Sequence, residues 1–219
     1  NQIELEIRDL GIDRIDYLIA THPHADHIGG MRHIINSFEI GEIFMPQVSH
    51  TSATFENLLL AIAQKGLKVF AAQSGMKIFG NEQLTVLIVS PDTPDNRNLN
   101  DSSVVIRIEF DDFSAIFMGD AEEKAEKNIM NSGLEFSADI IKIGHHGSST
   151  SSGEDFLREV GPEIAIISVG TDNRYNHPSG EIINRLQNLG VKILRTDLHG
   201  TIKVVSDGNN INIYKSKPD

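Results

Sequence analysis

The densest group of chemically active side chains in the sequence is the hexapeptide His22–His27, which reads His-Pro-His-Ala-Asp-His. Imidazole nitrogens and carboxylate oxygens are the ligands that zinc, manganese and iron accept where no thiolate is available, and this chain contains no cysteine. In a tight turn, His22 and His24 can point to one side while Asp26 and His27 reach another. The spacing therefore favours two adjacent metal ions, and chance capping of a turn by several histidines is the weaker interpretation.

A second candidate ligand is Asp120, which follows Gly119 at the end of the predicted strand Phe113 to Met118. Taken by itself, an acid in this position is more simply interpreted as the N-cap of the next helix. Beside the hexapeptide the interpretation changes, because two metals about 3.5–4 Å apart are usually bridged by an oxygen ligand. We therefore expect Asp120 to take part in a two-metal site.

Two adjacent histidines, His145 and His146, follow another predicted buried strand. Because adjacent side chains diverge, one of them is expected to bind a metal and the other to support a ligand or contact the substrate. The segment Gly147–Thr150 offers backbone N–H groups and hydroxyls that suit an anionic oxygen, so Ser148 and Ser149 are candidate substrate contacts. The alternative for this segment is a plain serine-rich surface loop.

The last candidate segment is Asn173–Pro178, after the predicted strand Ile164 to Val169. Its His177 is a candidate metal ligand or general acid, and Arg174 is a candidate phosphate contact. Three further histidines are assigned to no site: His33, His50 and His199. Three acids after Asp120 are interpreted as a solvated helix face near the helix N-terminus: Glu122, Glu123 and Glu126.

The elements that must position these side chains alternate along the chain, with turn residues between them, which indicates mixed α and β structure. The predicted strands are 15–21, 42–45, 67–71, 77–79, 84–90, 103–110, 113–118, 139–143, 164–169 and three short C-terminal strands. The predicted helices are 28–38, 54–65, 121–131, one ending near 160, and 179–189. Polar, histidine-bearing loops follow the carboxyl ends of several strands, where layered α/β folds build their sites.

Length and composition bound the interpretation further. A chain of 219 residues, 39% hydrophobic and 23% charged, is expected to form a single domain over residues 1–219. The formal net charge of -12 weighs against broad non-specific binding to nucleic acid. The sequence has neither a run of about 18 apolar residues nor a signal peptide. Because it starts at Asn1 without an initiator Met, we expect it to be a fragment of a longer protein.

Taken together, the motifs resemble those of the metallo-β-lactamase superfamily, whose signature His-x-His-x-Asp-His stands at His22–His27. The resemblance is closer to the metallohydrolase domain of the ComEC-type competence proteins. It extends from about residue 12 to residue 205. The supporting strings are Thr21–Gly30, Met118–Asp120, Lys142–Ser148, Asn173–Pro178 and Leu194–Gly200.

The resemblance implies an α+β fold, a four-layer αββα sandwich, with a two-metal site at one edge. His22 and His24 would bind one metal, Asp26 and His27 the other, and Asp120 would bridge them. The usual further histidine between the hexapeptide and Asp120 is missing, and the corresponding loop offers Asn98, Asn100 and Asp101 instead.

The first metal's ligand set would then be completed from the histidine pair, with His145 favoured over His146, and the second by His177. The N-terminal strand pair of such domains does not precede Asn1 in the sequence, so this fragment is expected to lack those strands.

The implied activity is that of a metal-dependent hydrolase, foremost a phosphodiesterase or nuclease acting on DNA. Its catalytic residues would be Asp26, Asp120 and His177. The implied cofactors are two divalent ions, zinc first and manganese second. A membrane-embedded competence region, in the same or another chain, is the expected partner and would supply the grip on single-stranded DNA.

Three alternatives remain open at this stage. One is a small-substrate hydrolase of the same fold, acting on a phosphocholine-type ester, a lactone or a β-lactam. Another is a metal-free interaction module. The last is a flavin-linked di-iron oxidoreductase, ranked lowest because no flavin-binding stretch is present.

Overall fold

The helices and strands alternate along the chain much as the sequence predicts. The computed structural model describes residues 2–218. Its helices are α1 (Gln2–Asp9), α2 (Ala25–Ile28), α3 (Met31–Ser37), α4 (Ala53–Gln64), α5 (Glu123–Asn131), α6 (Glu154–Val160), α7 (Gly180–Asn188) and α8 (Thr196–His199). Its strands are β1 (Arg14–Ile19), β2 (Glu39–Met45), β3 (Val69–Ala71), β4 (Lys77–Gly80), β5 (Leu84–Ser90), β6 (Val105–Phe110), β7 (Phe113–Phe117), β8 (Ile140–Lys142), β9 (Ile164–Ile167), β10 (Lys192–Arg195), β11 (Ile202–Ser206) and β12 (Ile211–Lys215).

The first sheet contains three parallel strands in the order β1-β2-β3. Helix α4 carries Phe55, Leu58 and Ile62 at helical spacing, so one face of it is apolar. This face packs with residues of α3 and β2, such as Ile35 and Ile43, in one buried cluster. Burial of that cluster is what attaches the helices to the sheet.

The second sheet contains seven strands in the order β10-β9-β8-β7-β6-β5-β4. Strands β7 to β10 pair in parallel and β4 to β7 pair antiparallel. Helices α5, α6 and α7 cover it, and Ile116, Ile141 and Phe156 lie in their shared core. The predicted β6–β7 hairpin is confirmed, with Asp111 in the left-handed conformation at its turn.

A third buried cluster joins the two sheets. Phe44 of β2 packs with Ala72, Ile88 and Val104, which lie in or beside the strands of both sheets. The molecule therefore has four layers, with helices outside and two sheets inside, and the predicted α+β αββα sandwich is confirmed.

Two details differ from the sequence-based expectation. Helix α1 was not predicted, because Ile3, Leu5 and Ile7 alternate with polar residues as they would in a strand. The predicted helix over 28–38 is divided into α2 and α3 around Gly29 and Gly30. Within residues 2–218, β1 lies at the edge of its three-stranded sheet. In the same range, every helix is too short or too polar to cross a membrane.

Candidate metal centre

The loops after β1, β7 and β8 meet at one edge of the sandwich. The backbone N–H of Val104 donates to the carbonyl of Thr21 (2.8 Å), and that of His145 donates to the carbonyl of Gly119 (3.2 Å). These bonds bring the loop that follows each strand against its neighbours. The hexapeptide, Asp120 and the histidine pair, which are distant in the sequence, therefore converge.

Four side chains from three of these loops form what we call the four-residue cluster: Asp26, His27, Asp120 and His146. Their ligand atoms all lie within 4.8 Å of one another. His27 Nε2 is 3.1 Å from Asp120 Oδ2 and 3.3 Å from His146 Nε2. His146 Nε2 is in turn 3.4 Å from Asp26 Oδ2. Two imidazole nitrogens and two carboxylates in this geometry suit a divalent cation.

His22 and His24 form a second pair beside the same carboxylate. His22 Nε2 lies 2.9 Å from His24 Nδ1 and 3.7 Å from Asp120 Oδ2. Asp120 is only 3% exposed, and its other oxygen, Oδ1, is buried without a hydrogen-bond partner among residues 2–218. A buried carboxylate with an unpaired oxygen between two groups of imidazoles fits a bridging metal ligand.

Hydroxyl groups orient the imidazoles of His22 and His27 by contacting their Nδ1 atoms. Thr21 Oγ1 lies 3.2 Å from His22 Nδ1 and 3.3 Å from His27 Nδ1. Ser103 Oγ lies 3.3 Å from His22 Nδ1 and accepts the backbone N–H of Asp120 (3.1 Å). Because these contacts use Nδ1, the Nε2 atoms of both histidines are left for a cation.

Gly119 is required for this arrangement. It has φ +56°, and a Cβ built on it would lie 3.0–3.1 Å from side-chain atoms of Ser103 and Thr21. Any larger residue would therefore push apart the two hydroxyls that orient His22 and support the Asp120 backbone.

The protonation states also suit a cation. Burial, assisted by the nearby His27, lowers the pKa of His22 to about 3, and burial also lowers the pKa of His24. Burial alone would raise the pKa of Asp120, but the hydrogen bond and charge of His27, together with the charge of His146, outweigh it and lower that pKa. At neutral pH His22 and His24 are therefore neutral and Asp120 is ionised, the forms that bind metal.

The adjacent histidines have different partners. Both adopt left-handed backbone conformations, with φ 45° at His145 and 53° at His146, and their side chains point in different directions. His146 Nδ1–H donates to the carbonyl of Ser168 (2.7 Å), which leaves its Nε2 free for the four-residue cluster. His145 Nδ1 instead lies 3.0 Å from Glu122 Oε1. His145 was favoured as the ligand from sequence, but the structure brings His146 to the cluster and turns His145 toward Glu122.

Next to the cluster is an open cleft of about 580 Å³. His177 lines it, with its ring centroid 5.7 Å from that of His145 and stacked on Tyr175 at the same distance. His177 therefore lies next to His145 and outside the four-residue cluster. Burial, together with the charges of His145 and His146, lowers its pKa.

The three proposed substrate contacts do not line this cleft, as far as the described residues show. Ser148 is buried, with its hydroxyl 2.9 Å from Thr150 Oγ1. Ser149 lines a separate depression. Arg174 is exposed between two cleft residues, Asn173 and Tyr175.

Sequence reasoning missed the role of two acids, and the interpretation of a solvated helix face is wrong for both. Glu122 accepts hydrogen bonds from Asn98 (2.9 Å) and Thr150 (2.7 Å). Glu126 is 2% exposed and accepts the backbone N–H groups of Ser152 and Gly153. For the third acid, Glu123, the interpretation is confirmed. Only the density of polar residues in the loops opposite α5 could have signalled these contacts.

The histidines assigned to no site have other partners. His33 pairs with Glu4 Oε2 (2.5 Å). His50 Nδ1 lies 2.9 Å from the hydroxyl of Ser52, the N-cap of α4. His199 Nδ1 lies 2.9 Å from the Arg195 backbone. None of the three belongs to the four-residue cluster.

Comparison with known proteins agrees with this architecture. A family model described as the metallo-beta-lactamase superfamily matches residues 1–171. The chain is 35% identical over 193 residues to ComE operon protein 3 of Bacillus subtilis (strain 168), covering 88% of this chain and 25% of that protein. It is 29% identical to competence protein ComA of Neisseria gonorrhoeae, covering 88% and 26%. It is 27% identical to recombination protein 2 of Haemophilus influenzae, covering 87% and 22%. The chain thus spans about a quarter of the length of each of these relatives.

Among solved structures, CmlA, a diiron beta-hydroxylase from Streptomyces venezuelae, is similar with a TM-score of 0.55 and 16% identity. The match covers 84% of this chain and 44% of that one. At this level of identity the likeness shows a shared fold alone.

Proposed function

The chain belongs to the metallo-beta-lactamase superfamily, and from this premise we propose that it is a hydrolase that uses two divalent metal ions to cleave phosphodiesters, with DNA as its substrate. The observation that carries the proposal is the buried Asp120 carboxylate between two groups of ligands. His22 lies 3.7 Å from its Oδ2 with His24 beside it, and His27 and His146 lie 3.1 Å and 3.6 Å from its two oxygens.

In this proposal His22 and His24 would hold one cation, Asp26, His27 and His146 would hold the other, and Asp120 would be shared between them. When bound, two divalent cations supply Lewis acidity and make water acidic enough to react near neutral pH. The protein's own contribution is to fix these ligands in advance through Thr21, Ser103 and Ser168 contacts. Preorganised charge of this kind favours the developing negative charge of a phosphoryl transition state.

The cleft supplies the remaining groups. His177 faces it next to His145, and we assign to the His177 imidazole a hydrogen bond to the leaving oxygen, which the N–H of a neutral ring can donate. Tyr175 is 77% exposed at the same cleft, which suits stacking of an unpaired base. Arg174 beside it is the candidate contact to a neighbouring phosphate.

The DNA assignment draws support from the relatives named as competence and recombination proteins. The charge of the chain argues that it does not bind long DNA alone, since -12 plus the +4 of two dications is still -8. We propose that another region of the full-length protein or complex, embedded in the membrane, supplies that binding and attaches this domain to the membrane.

The test is a substrate panel with zinc and with manganese added to chelator-treated protein. Bis(p-nitrophenyl) phosphate and linear single-stranded DNA should be hydrolysed, and nitrocefin and a homoserine lactone should not. Asp120→Asn keeps the shape of the side chain but removes its charge, and should lower phosphodiester cleavage by roughly a thousandfold. Turnover of nitrocefin or of the lactone alone would contradict the proposal, as would wild-type protein that contains no metal by elemental analysis.

A further inference from the structure

The two halves of the metal centre do not have equal ligand sets. Apart from the shared Asp120, the side built on the four-residue cluster has three side chains of its own. The other side has only His22 and His24. If the proposed function is correct, the cation on that side is short of a protein ligand, and the question is which side chain completes its coordination.

Asn100 lies next to this incomplete side. Its backbone carbonyl accepts the N–H of Ser103 (2.9 Å), and the hydroxyl of Ser103 contacts both His22 Nδ1 and the backbone N–H of Asp120. Asn100 also lines the cleft together with His24 and Asp120. Asn100 is therefore connected through Ser103 to both His22 and Asp120.

The orientation of the Asn100 amide is fixed by its nitrogen. Nδ2 donates to Glu122 Oε1 (3.4 Å), so the carbonyl oxygen must point the other way. That oxygen, Oδ1, is buried without a partner. Three buried side-chain polar atoms lack a partner within residues 2–218, and two of them are Asn100 Oδ1 and Asp120 Oδ1. Buried acceptors are rarely left unpaired, both residues line the same cleft, and a cation would satisfy both oxygens.

We infer that Asn100 Oδ1 binds the cation held by His22 and His24, in the position where related sites would have a third histidine. An amide oxygen is a neutral, hard ligand, and oxygen ligands suit manganese better than imidazole nitrogens do. Asn100 is thus also a determinant of metal preference: it shifts this side of the centre from zinc toward manganese.

The experiment measures metal binding, not activity. The chelator-treated chain of residues 1–219 is titrated calorimetrically with MnCl₂ and separately with ZnCl₂. Asn100→Leu removes the oxygen at similar volume and should bind one Mn²⁺ normally and the second roughly tenfold or more weakly. Asn100→Asp keeps an oxygen and should retain two. Asn100→His should retain two and raise the zinc preference of the weaker site.

The matched control is Thr150→Val, which removes another hydrogen bond to Glu122 Oε1 without removing a ligand. It should bind two ions as the wild type does. Two unchanged Mn²⁺ sites in Asn100→Leu would overturn the inference while leaving the proposed function intact. A wild type that binds no metal would instead overturn the proposed function itself.

A second measurement covers the case in which Asn100→Leu is damaged. Because Asn100→Leu also removes the Nδ2 hydrogen bond to Glu122, each protein is compared with its own chelated state. Added Mn²⁺ should raise the melting temperature of Asn100→Leu less than that of the wild type. An equal rise in both proteins would contradict the inference.

Discussion

At the scale of single residues, the site depends on neighbours in sequence that have different partners. His146 is fixed by a backbone carbonyl and faces the four-residue cluster, whereas His145 is fixed by Glu122 and faces the cleft. Second contacts of this kind select the tautomer and the direction of each ring. Removal of His146 and removal of His145 are therefore expected to affect metal binding and turnover differently.

Replacing each histidine by alanine separates the two roles. His146→Ala should lower the affinity for one of two metal ions by roughly 10- to 100-fold, as measured by calorimetric titration. His145→Ala should keep both ions and lower the turnover of bis(p-nitrophenyl) phosphate at saturation. The opposite pattern, in which His145→Ala loses the ion and His146→Ala keeps it, would restore the ligand favoured from sequence.

The buried His22 makes the stability of the metal-free protein depend on pH. Its pKa is lowered to about 3, mainly by burial, so between pH 6.5 and 3 the unfolded chain binds a proton that the folded protein does not. The free energy of unfolding must then fall as the pH falls, by about 2 kcal/mol at pH 5 from this group. The lowered pKa of Asp120 acts in the same direction, but only below about pH 4.

Urea unfolding of chelated protein at pH 7 and pH 5 measures this effect. His22→Gln should lose less stability than the wild type between the two pH values. The control is Gln64→Ala, because Gln64 is an exposed, uncharged side chain at the end of α4, and it should lose as much as the wild type. Equal losses in all three proteins would contradict the neutral, buried state of His22.

At the scale of elements, helix α5 ties together the loops that surround the metal centre. Glu122 at its N-cap position contacts the loops before β6 and after β8. One turn later, Glu126 accepts the backbone N–H groups of Ser152 (2.5 Å) and Gly153 (2.9 Å). Those amides precede α6, so the carboxylate of Glu126 joins two helices and closes the loop that begins at His145.

Removing this carboxylate should destabilise the fold without touching a ligand. Glu126→Ala leaves two buried backbone N–H groups unpaired, and the free energy of unfolding should fall by about 2–4 kcal/mol. Glu123→Ala on the same helix removes an exposed side chain paired only with Lys127 and should have no measurable effect. Chemical denaturation of the two variants tests this, and equal stabilities would show that Glu126 is not a structural link.

The elements themselves were largely predictable from sequence, because their apolar residues repeat at the spacing of strands and helices and end at Gly, Asn and Asp. Helix α1 was missed because Ile3, Leu5 and Ile7 follow the spacing of a strand. It is stabilised by contacts that no local pattern reveals, such as the ion pair of Glu4 with His33 and the guanidinium of Arg8 over the Phe38 ring.

The motif residues could be predicted because each motif lies within a short stretch of sequence, where its spacing is visible. The choice between His145 and His146 could not be, because it depends on left-handed backbone angles and on Ser168 and Glu122, which lie 22 and 23 residues away. The burial of Glu122 and Glu126 likewise depends on loops from elsewhere in the chain. Contacts between distant segments have no signature within either segment.

At the scale of the whole molecule, the sandwich places candidate ligands from separate loops together at one edge. The strands beneath that edge are joined by the shared core around Phe44 and Ile88, so the loops have a rigid base. The chain covers only about a quarter of its relatives, and its net charge is -12. These features support the proposal that another region of a larger protein delivers the substrate.

The most direct test of the central claim is anomalous X-ray scattering from crystals of the protein soaked in ZnCl₂ or MnCl₂. We expect two peaks about 3.5–4 Å apart on either side of the Asp120 carboxylate, one next to His22 and His24 and the other next to His27 and His146. No peak at this edge, or a single peak that does not contact Asp120, would contradict the account.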